Sequence, residues 1–287
     1  MSAIHNFKDI TIVIILYNSQ EVIGNCLKNF SDEQEIIIVD NASSDQSINI
    51  VKKLKPISLI IRNSVNKGYG SAVNQALSVV KTKYALLINP DAVMQVSDIS
   101  ILYQYAEAND NASIVVPGSG WELHLKGPDG DTISSPISPL EGPFCTWFVS
   151  GAIWLLRRDD WLELQGFDEN IFLYSEDVDF CLRLRKVGKE IIVCPHSKAQ
   201  HQESTSAPLT KEIQWRKEWN LIWSHLYVTK KHDGELKTKK VIAKLLWRHV
   251  PKMIFHGLVF EKKRFRRDLA IVNATLSFIC GRKPVKE

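Results

Sequence analysis

The first half of the chain alternates short apolar runs with longer segments of mixed polarity. The short runs are rich in β-branched residues and apolar at almost every position, which is typical of strands covered on both faces. The mixed segments favour helices, the second of them opened by cap residues. The predicted strands are residues 11–16, 35–39, 58–61 and 84–88, and the predicted helices are residues 20–30, 46–53 and 70–80. This alternation predicts a doubly wound α/β sheet.

The second half has a different pattern. Frequent Gly and Pro between residues 118 and 143 predict a long loop. The elements predicted after it are an apolar block at 148–156, a helix at 158–164, a helix that ends at Lys186 with Gly188 as its cap, and a strand at 191–194. From residue 211 the pattern is helical, basic and rich in Trp. We therefore expect two regions, residues 1–210 and 211–287.

The distribution of charge supports that boundary. The net charge is only +4, from 36 Lys and Arg against 32 Asp and Glu. Residues 211–287 hold 19 of the basic and 7 of the acidic residues, a net of +12, which leaves −8 for residues 1–210. A strongly basic region indicates an anionic partner, such as nucleic acid or a membrane surface. With 45% hydrophobic and 24% charged residues, the composition excludes a disordered or collagen-like chain.

Cysteine usage and hydropathy predict a cytoplasmic protein. The five cysteines are scattered and include no C-x-x-C pair, which favours buried thiols in a reducing compartment over disulfides or a zinc site. No signal peptide is recognisable, and no apolar stretch reaches the roughly 18 residues that a membrane-spanning helix needs.

Polar residues follow the predicted strands, and ligands of doubly wound sheets bind beyond the carboxyl ends of strands. Asp91, in Asn89-Pro90-Asp91, is placed to hold a divalent cation on a nucleotide, or to form a turn. Asp40 is placed to accept a hydrogen bond from a base or ribose, or to cap the next helix. Because the segment 43–45 offers three other cap residues, Asp40 is expected to be available for a ligand.

A cluster of carboxylates, Glu176-Asp177-Val178-Asp179, opens a later helix. Like charges this close raise one another's pKa and are costly unless a cation or a base function uses them. Asp179 has an i,i+4 partner in Arg183, and Glu176 at the helix start is favoured by the helix dipole. Asp177 has neither reason to be there, so it is our candidate general base.

Two further features have alternative explanations. Gly68-Tyr69-Gly70 is followed about twenty residues later by Asp91, as in a dinucleotide fingerprint. Val73 occupies the third glycine position, so a nicotinamide-dependent enzyme is a weak rival. His196 and His201 follow the last predicted strand, and a lone His is more often structural than a ligand.

Taken in order, these segments resemble the inverting glycosyltransferases of family 2, and the likeness covers about residues 10–205. The resemblance implies the GT-A fold, a Rossmann-like mixed sheet, here followed by a basic helical extension. The segments that carry it in the first half are residues 14–19, 39–45, 66–74 and 87–91. The positions implied to bind the nucleotide and donor are Tyr17, Asn18, Asp40, Asn41, Asn66, Gly68, Asn74 and Asn89. Asn89 stands where the family has the first acid of D-x-D, so metal binding is expected mainly of Asp91.

The second half is similar to the bacterial rhamnosyltransferase-like branch of the family, through residues 149–152, 166–169, 172–180 and Arg183. This similarity implies Asp177 as the catalytic base and His201 as a second metal ligand beside Asp91. The further positions that it implies, on the acceptor side or in support, are Gly151, Ala152, Glu176 and Arg183. The Q-x-x-R-W motif of processive synthases is absent.

The resemblance implies an activity and its partners. We expect transfer of a sugar with inversion, L-rhamnose from dTDP-L-rhamnose or a sugar from a UDP-sugar, with Mg²⁺ or Mn²⁺ as cofactor. The expected acceptor is a glycan or a polyprenyl-diphosphate-linked sugar in the synthesis of a bacterial surface polysaccharide. A catalytically inactive nucleotide-sugar-binding module is the rival, because Asn89 departs from D-x-D. Nucleic acid is not an expected partner, and the oligomeric state, a homodimer included, is open.

The basic C-terminal region has two interpretations. Trp215, Trp219 and Trp223 recur every four residues, which predicts a helix that packs on the catalytic domain or an amphipathic membrane anchor. Basic clusters at 237–240 and 262–267 favour an anionic lipid surface. We therefore expect peripheral binding to the inner face of the cytoplasmic membrane.

Overall fold

The computed structural model describes residues 7–118, 142–201 and 210–284. The strands in these ranges are β1 Ile10–Leu16, β2 Ile36–Asp40, β3 Leu59–Arg62, β4 Tyr84–Ile88, β5 Ala92–Met94, β6 Ala112–Pro117, β7 Phe144–Thr146, β8 Ile153–Arg157, β9 Glu190–Cys194 and β10 Ala199–His201. The helices are α1 Ile23–Leu27, α2 Ser47–Leu54, α3 Tyr69–Leu77, α4 Val96–Ala108, α5 Arg158–Glu163, α6 Glu176–Lys186, α7 Lys211–Asp233, α8 Glu235–Leu258 and α9 Lys262–Ile279.

Eight strands form one mixed sheet in the order β3-β2-β1-β4-β8-β6-β9-β7. Strands β1 to β4 are parallel to their neighbours among themselves, while β8 runs antiparallel to both β4 and β6. β5 and β10 form a separate antiparallel pair in which His201 lies opposite Ala92. The parallel strands place their carboxyl ends at one edge of the sheet, which is where ligands bind in such folds.

Helices cover both faces of the sheet, as the near-continuous apolar strands predict. Apolar side chains of α1, α2 and α4 pack on one face, and those of α3, α5 and α6 pack on the other. β3 differs, because it is the edge strand and its Leu59 is 50% exposed. The expectation of burial on both faces is therefore wrong for β3 and holds for β1, β2 and β4.

Most predicted elements are present, with small shifts at their ends. The helix predicted at 20–30 is reduced to α1. α4 and β6 were not predicted, although the buried residues Ile99, Leu102 and Ala106 of α4 have helical spacing. The loop predicted at 118–143 lies, for residues 119–141, outside the described residues.

The three C-terminal helices have an apolar cluster of their own, built on Trp219, Trp223 and Leu226. The indole N–H of Trp219 donates to Asn273 Oδ1 at 2.8 Å, and that of Trp223 donates to the Arg282 carbonyl at 2.9 Å. Both rings are buried, so α7 uses its Trp stripe for packing. The α7 helix also contacts the first region, because Ser224 Oγ donates to the Leu173 carbonyl at 2.9 Å. The division at residues 210 and 211 stays a prediction.

Two properties of the described chain bear on its environment. None of the helices within the described ranges combines the length and the apolar content needed to cross a bilayer. All five cysteines are free thiols, of which Cys26, Cys181 and Cys194 are buried while Cys145 and Cys280 are exposed. The expectation of buried thiols therefore holds for three of the five.

Two glycines have left-handed backbone for different reasons. Gly188 follows α6 with φ +78° and ends it, as predicted, and no atom lies within 4 Å of where a Cβ would stand. Gly68 precedes α3 with φ +88°, and a Cβ there would come 2.2 Å from the Phe172 carbonyl oxygen. Gly68 thus lets two backbone segments touch, which is a packing role.

Alanine substitutions at these glycines should separate the two effects. Gly188→Ala should lower the free energy of unfolding by about 1 kcal/mol, because only the left-handed conformation is penalised. Gly68→Ala should lower it by about 3 kcal/mol or more, since the methyl group also overlaps the backbone. Urea unfolding followed by circular dichroism measures both, and equal losses would contradict the close contact at Gly68.

Candidate active site

A cleft of about 360 Å³ opens at the carboxyl ends of β1, β2 and β4. It lies between the sheet edge, the start of α6 and the first half of α7. Its lining includes Tyr17, Asn41, Asn66, Gly68, Tyr69, Asn89, Asp91, Gly151, Ala152, Glu176, Asp177, Ile213, Arg216, Lys217 and Asn220. Most of the residues singled out in the sequence are therefore brought together.

The loops after β1 and β2 are joined by hydrogen bonds. Asn18 adopts a left-handed conformation, φ 51°, and its N–H donates to Ser43 Oγ at 3.0 Å. In return the Ser44 N–H donates to Asn18 Oδ1 at 2.8 Å. Asn18 is not among the residues that line the cleft, whereas Tyr17 beside it is. Asn18 thus fixes the loop that carries Tyr17.

Asp40 is completely buried at the end of β2 and does not line the cleft. Its Oδ1 accepts the Ser43 N–H at 2.9 Å, and its Oδ2 accepts Arg62 Nε at 3.3 Å. In this structure the Asp40 carboxylate orders the β2 loop, and its expected contact with a base or ribose stays a prediction. Asp45 accepts the N–H of Ser47 at the start of α2, as a cap residue would.

Asn41 organises the loop that precedes α3. Its Nδ2 donates to Asn66 Oδ1 at 2.8 Å and to the Gly68 carbonyl at 3.2 Å, while its Oδ1 accepts the Lys67 N–H at 3.0 Å. Asn66 Oδ1 also accepts the Gly68 N–H at 2.9 Å. These bonds hold Asn41, Asn66 and Gly68 at one wall of the cleft.

Asn74 and Arg183 lie away from the cleft. The side chain of Asn74 bonds both the N–H and the carbonyl of Phe167, at 2.8 and 2.9 Å. Arg183 donates to the carbonyls of Leu164 and Gly166 and forms the expected ion pair with Asp179 at 2.8 Å. Both side chains hold the 164–167 turn in place, so the structure does not bring them to the donor or the acceptor side.

The Asn89–Asp91 turn forms the floor of the cleft. The Asn89 N–H donates to the Ala152 carbonyl at 2.8 Å, which links β4 to the neighbouring β8 side. Asp91 is 6% exposed and immediately precedes β5. The backbone of His201 pairs with Ala92, next to Asp91, but the His201 side chain lies outside the described residues. His196 is an exposed residue of the β9–β10 connection.

Asp177 lines the same cleft as Asp91 and lies in the first turn of α6. The Gly151 N–H donates to Asp177 Oδ2 at 3.1 Å, and the Val178 N–H donates to Oδ1 at 2.8 Å. The Tyr69 hydroxyl donates to the Gly151 carbonyl at 3.0 Å and so fixes the same backbone. A half-buried carboxylate held by two backbone donors has a defined direction, which a general base requires.

Burial changes the acidity of the two neighbouring carboxyls. Burial, together with the charge of Asp177, raises the pKa of Glu176 to about 8. Burial also raises the pKa of Asp177, against backbone hydrogen bonds from Val178 and Gly151 that lower it. Oε2 of Glu176 has no hydrogen-bond partner among the described residues. Burial and mutual repulsion thus disfavour a second negative charge, and the pair holds its protons to a higher pH than two exposed carboxyls would.

The backbone just before α6 is strained. Tyr174 and Ser175 are consecutive non-glycine residues with left-handed φ, 66° and 64°. Each such residue costs about 1 kcal/mol or more, and strain of this kind persists where the surrounding structure fixes it. The strained pair delivers Glu176 and Asp177 into the cleft at the start of the helix.

The sequence did not indicate that α7 forms a wall of the cleft. Ile213, Arg216, Lys217 and Asn220 line it, at i, i+3, i+4 and i+7 spacing on one face of the helix. That spacing is visible in the sequence, but nothing in it shows which surface the face meets. The cleft thus combines carboxylates from the sheet edge and α6 with cations from the C-terminal region.

The arrangement suits a transfer from an anionic donor. Asp177 is oriented by two backbone donors and lines, with Asp91, a cleft whose volume of about 360 Å³ lies in the range of small-molecule sites. No three His, Cys, Asp or Glu side chains converge as a ready metal cluster within the described part of the chain. Mg²⁺ needs no such cluster, since one or two carboxylates plus substrate phosphates often suffice.

Known proteins are similar to this chain in sequence and in fold. The model of Glycosyl transferase family 2 matches residues 11–161, and that of Glycosyl transferase family group 2 matches residues 140–277. The rhamnosyltransferase WbbL of Escherichia coli K12 is 26% identical over 234 residues, which are 71% of this chain and 88% of that protein. N-acetylglucosaminyl-diphospho-decaprenol L-rhamnosyltransferase of Mycobacterium tuberculosis is 24% identical over 60% of this chain and 67% of its own length.

A solved structure shows the same fold at lower identity. The mannosyltransferase PcManGT of Pyrobaculum calidifontis, in complex with GDP-Man and Mn²⁺, superposes with a TM-score of 0.58 at 14% identity. The superposition covers 96% of this chain and 88% of that one. With the family model matching more than half of its length, the chain belongs to glycosyl transferase family 2 and is a hexosyl-transferring enzyme of the GT-A fold.

Proposed function

We propose that this enzyme is an inverting, metal-dependent transferase that moves L-rhamnose from dTDP-L-rhamnose onto a glycan or lipid-linked acceptor of a bacterial surface polysaccharide. The observation that carries the proposal is that Asp177 and Asp91 line one cleft at the sheet edge. The names of the two rhamnosyltransferase relatives support the sugar. A UDP-sugar is the alternative donor.

Asp177 is the base of a single displacement in this mechanism. Its carboxylate takes the proton of the acceptor hydroxyl while that oxygen bonds to the anomeric carbon. The bond from the anomeric carbon to the diphosphate oxygen breaks, and its electron pair leaves with the nucleoside diphosphate. Attack opposite the leaving group inverts the configuration. The raised pKa of Glu176 disfavours a second negative charge beside this base.

The residues present fit a divalent cation. Burial first, and then the charges of Glu176, Asp177 and Asp91, raise the pKa of the Tyr69 hydroxyl, so three carboxylates act on one position in the cleft. Asp91 would hold Mg²⁺ or Mn²⁺, with His201 adjacent in the backbone. The ion, when bound, stabilises negative charge on the departing diphosphate. The relative solved with GDP-Man and Mn²⁺ supports this assignment.

The acceptor and the location of the enzyme are inferred together. The mycobacterial relative is named for a sugar linked through diphosphate to decaprenol. An acceptor of that kind lies in a membrane, and Arg216 and Lys217 at the mouth of the cleft suit its phosphates. The proposal therefore places the enzyme peripherally on the inner face of the cytoplasmic membrane.

Replacement of the base should stop transfer and leave donor binding. Asp177→Asn should lower turnover about 100- to 10,000-fold, the range for loss of a general base. The affinity for dTDP, measured by calorimetric titration, should change little because the substitution is isosteric. Asp159→Asn, which neutralises a carboxylate that is 87% exposed, is the matched control. Turnover of Asp177→Asn close to that of the wild type would remove Asp177 from the mechanism.

The divalent ion should be needed for donor binding as well as for turnover. Removal of metal with EDTA should abolish hydrolysis of dTDP-L-rhamnose, and Mn²⁺ or Mg²⁺ should restore it. Asp91→Asn should lose most of the gain in dTDP affinity that Mn²⁺ gives the wild type, whereas the exposed control Asp110→Asn should retain it. The same assay with UDP-sugars identifies the donor. Metal-independent binding and hydrolysis would contradict the proposal.

The raised pKa of Glu176 should appear in the pH dependence of stability. The folded state holds this proton more tightly than the unfolded chain, so the stabilisation is complete below pH about 4.5 and is lost as pH rises towards 8. Up to about 5 kcal/mol depends on this group. Glu176→Gln should therefore lose less unfolding free energy between pH 5 and pH 9 than the wild type or the exposed control Glu163→Gln. Parallel pH curves in urea unfolding would refute the assignment.

A further inference from the structure

The α8 helix is apolar on two opposite sides. Val241 and Leu245 are buried against α7 and α9. On the other side lies a row of exposed apolar residues, which we call the outer stripe: Leu236 at 71% exposure, Trp247 at 85%, Ile254 at 55% and Leu258 at 73%. Counted from Trp247, Leu236 lies 11 positions earlier, and Ile254 and Leu258 lie 7 and 11 positions later. On a helix these spacings return to within about 20° of one direction, so the stripe runs along one line for about 33 Å.

The outer stripe ends at an apolar corner. Val259 and Phe260, between α8 and α9, are exposed by 46% and 84%. A helix with one buried face usually presents polar residues on the other, and exposed apolar surface of this extent in a globular chain indicates a binding surface.

A basic groove begins directly beyond this corner. It is a cavity of about 310 Å³ between the first turns of α7 and α9. Its charged lining is five cations, Lys211, Lys262, Lys263, Arg266 and Arg267, and one carboxylate, Glu218. Arg267 is 3.5 Å from Asp268, whereas Lys262, Lys263 and Arg266 form no ion pair within 4.0 Å among the described residues.

The groove and the catalytic cleft lie on two sides of the same helix. Lys211, Trp215 and Glu218 of α7 line the groove, while Arg216 and Asn220 line the cleft. A helix with its side chains is about 10 Å across, so the two sites are neighbours. A surface bound at the groove would therefore lie beside the mouth of the cleft.

We propose that the outer stripe, the 259–260 corner and the basic groove together form a docking surface for an anionic lipid bilayer. The apolar side chains enter the interface between headgroups and acyl chains, and the groove cations bind lipid phosphates. Charge complementarity and the exposed apolar row with Trp247 at its most exposed position argue for this occupant. Docking itself does not depend on the catalytic activity. Presentation of a lipid-linked acceptor to the cleft would be its consequence, and that part rests on the proposed function.

The test uses the full chain in co-sedimentation with lipid vesicles. Wild-type protein should bind vesicles that contain phosphatidylglycerol and bind pure phosphatidylcholine vesicles at least about tenfold more weakly. Lys262→Gln/Lys263→Gln/Arg266→Gln should weaken binding to the anionic vesicles about 100-fold at low salt, and the difference should shrink at high salt. Lys28→Gln/Lys52→Gln/Lys53→Gln removes three exposed charges, one just after α1 and two in α2, and should bind like the wild type.

A second variant tests the apolar part separately. Trp247→Gln/Leu258→Gln should weaken vesicle binding about tenfold or more, and this loss should persist at high salt. Both side chains are exposed, so the fold should tolerate the change. Both docking variants should retain donor hydrolysis in solution and lose transfer to an acceptor embedded in vesicles.

Several outcomes would overturn the docking surface. One is equal binding to anionic and neutral vesicles, and another is an equal loss of vesicle binding in the Lys28/Lys52/Lys53 control. The surface would be a dimer interface if the wild type is a dimer that Trp247→Gln/Leu258→Gln dissociates, and a nucleic-acid site if the protein binds duplex DNA but not vesicles. Failure of the proposed function gives a different pattern. Absent binding of dTDP together with intact vesicle binding would remove the transferase assignment and leave the docking surface in place.

Discussion

The buried carboxylate of Asp179 joins α6, which carries Asp177, to the C-terminal region. It is fully buried and contacts Arg183 at 2.8 Å, Lys231 at 2.7 Å and His232 at 2.8 Å. Arg183 belongs to α6 itself, whereas Lys231 and His232 belong to α7, so the contacts of this buried charge favour the packing of α7 on α6. Lys231 and Tyr227 of α7 also bind Asp168. Asp177 is two residues from this cluster, and its position in the cleft follows from that attachment.

The cleft concentrates features that are unfavourable for folding. Two carboxyls with raised pKa values lie side by side, and two left-handed residues precede them. The same burial that costs stability makes the Asp177 carboxylate a stronger base, because its proton affinity rises with its pKa. The sheet and the ion pairs of Asp179 keep these unfavourable carboxyls and left-handed residues in place.

The sequence predicted the sheet well because its central strands are buried on both faces, and such strands are apolar throughout. It placed Asn41 and Asp91 in one site for a related reason, since the ends of parallel strands share an edge. Asp177 opens a helix, and the carboxylate cluster and the family resemblance indicated it instead. The α4 helix could also have been predicted, from the helical spacing of Ile99, Leu102 and Ala106.

The roles of Asp40, Asn74 and Arg183 could not be predicted, because they depend on partners brought close only by the fold. Asn74, for example, bonds Phe167, 93 positions away in the chain. The Trp spacing of α7 was equally ambiguous, since a packed helix and a membrane anchor use the same apolar stripe. Only the contacts of Trp219 with Asn273 and of Trp223 with Arg282 distinguish the two.

The position of α7 has a consequence for how such enzymes diversify. Its residues 213–220 close one side of the cleft, although they belong to a region that looks like an appendage in the sequence. Any exchange of this region between related chains therefore also exchanges one wall of the pocket. Selection for a new acceptor can act on the C-terminal helices while the sheet and its strand-end carboxylates stay as they are.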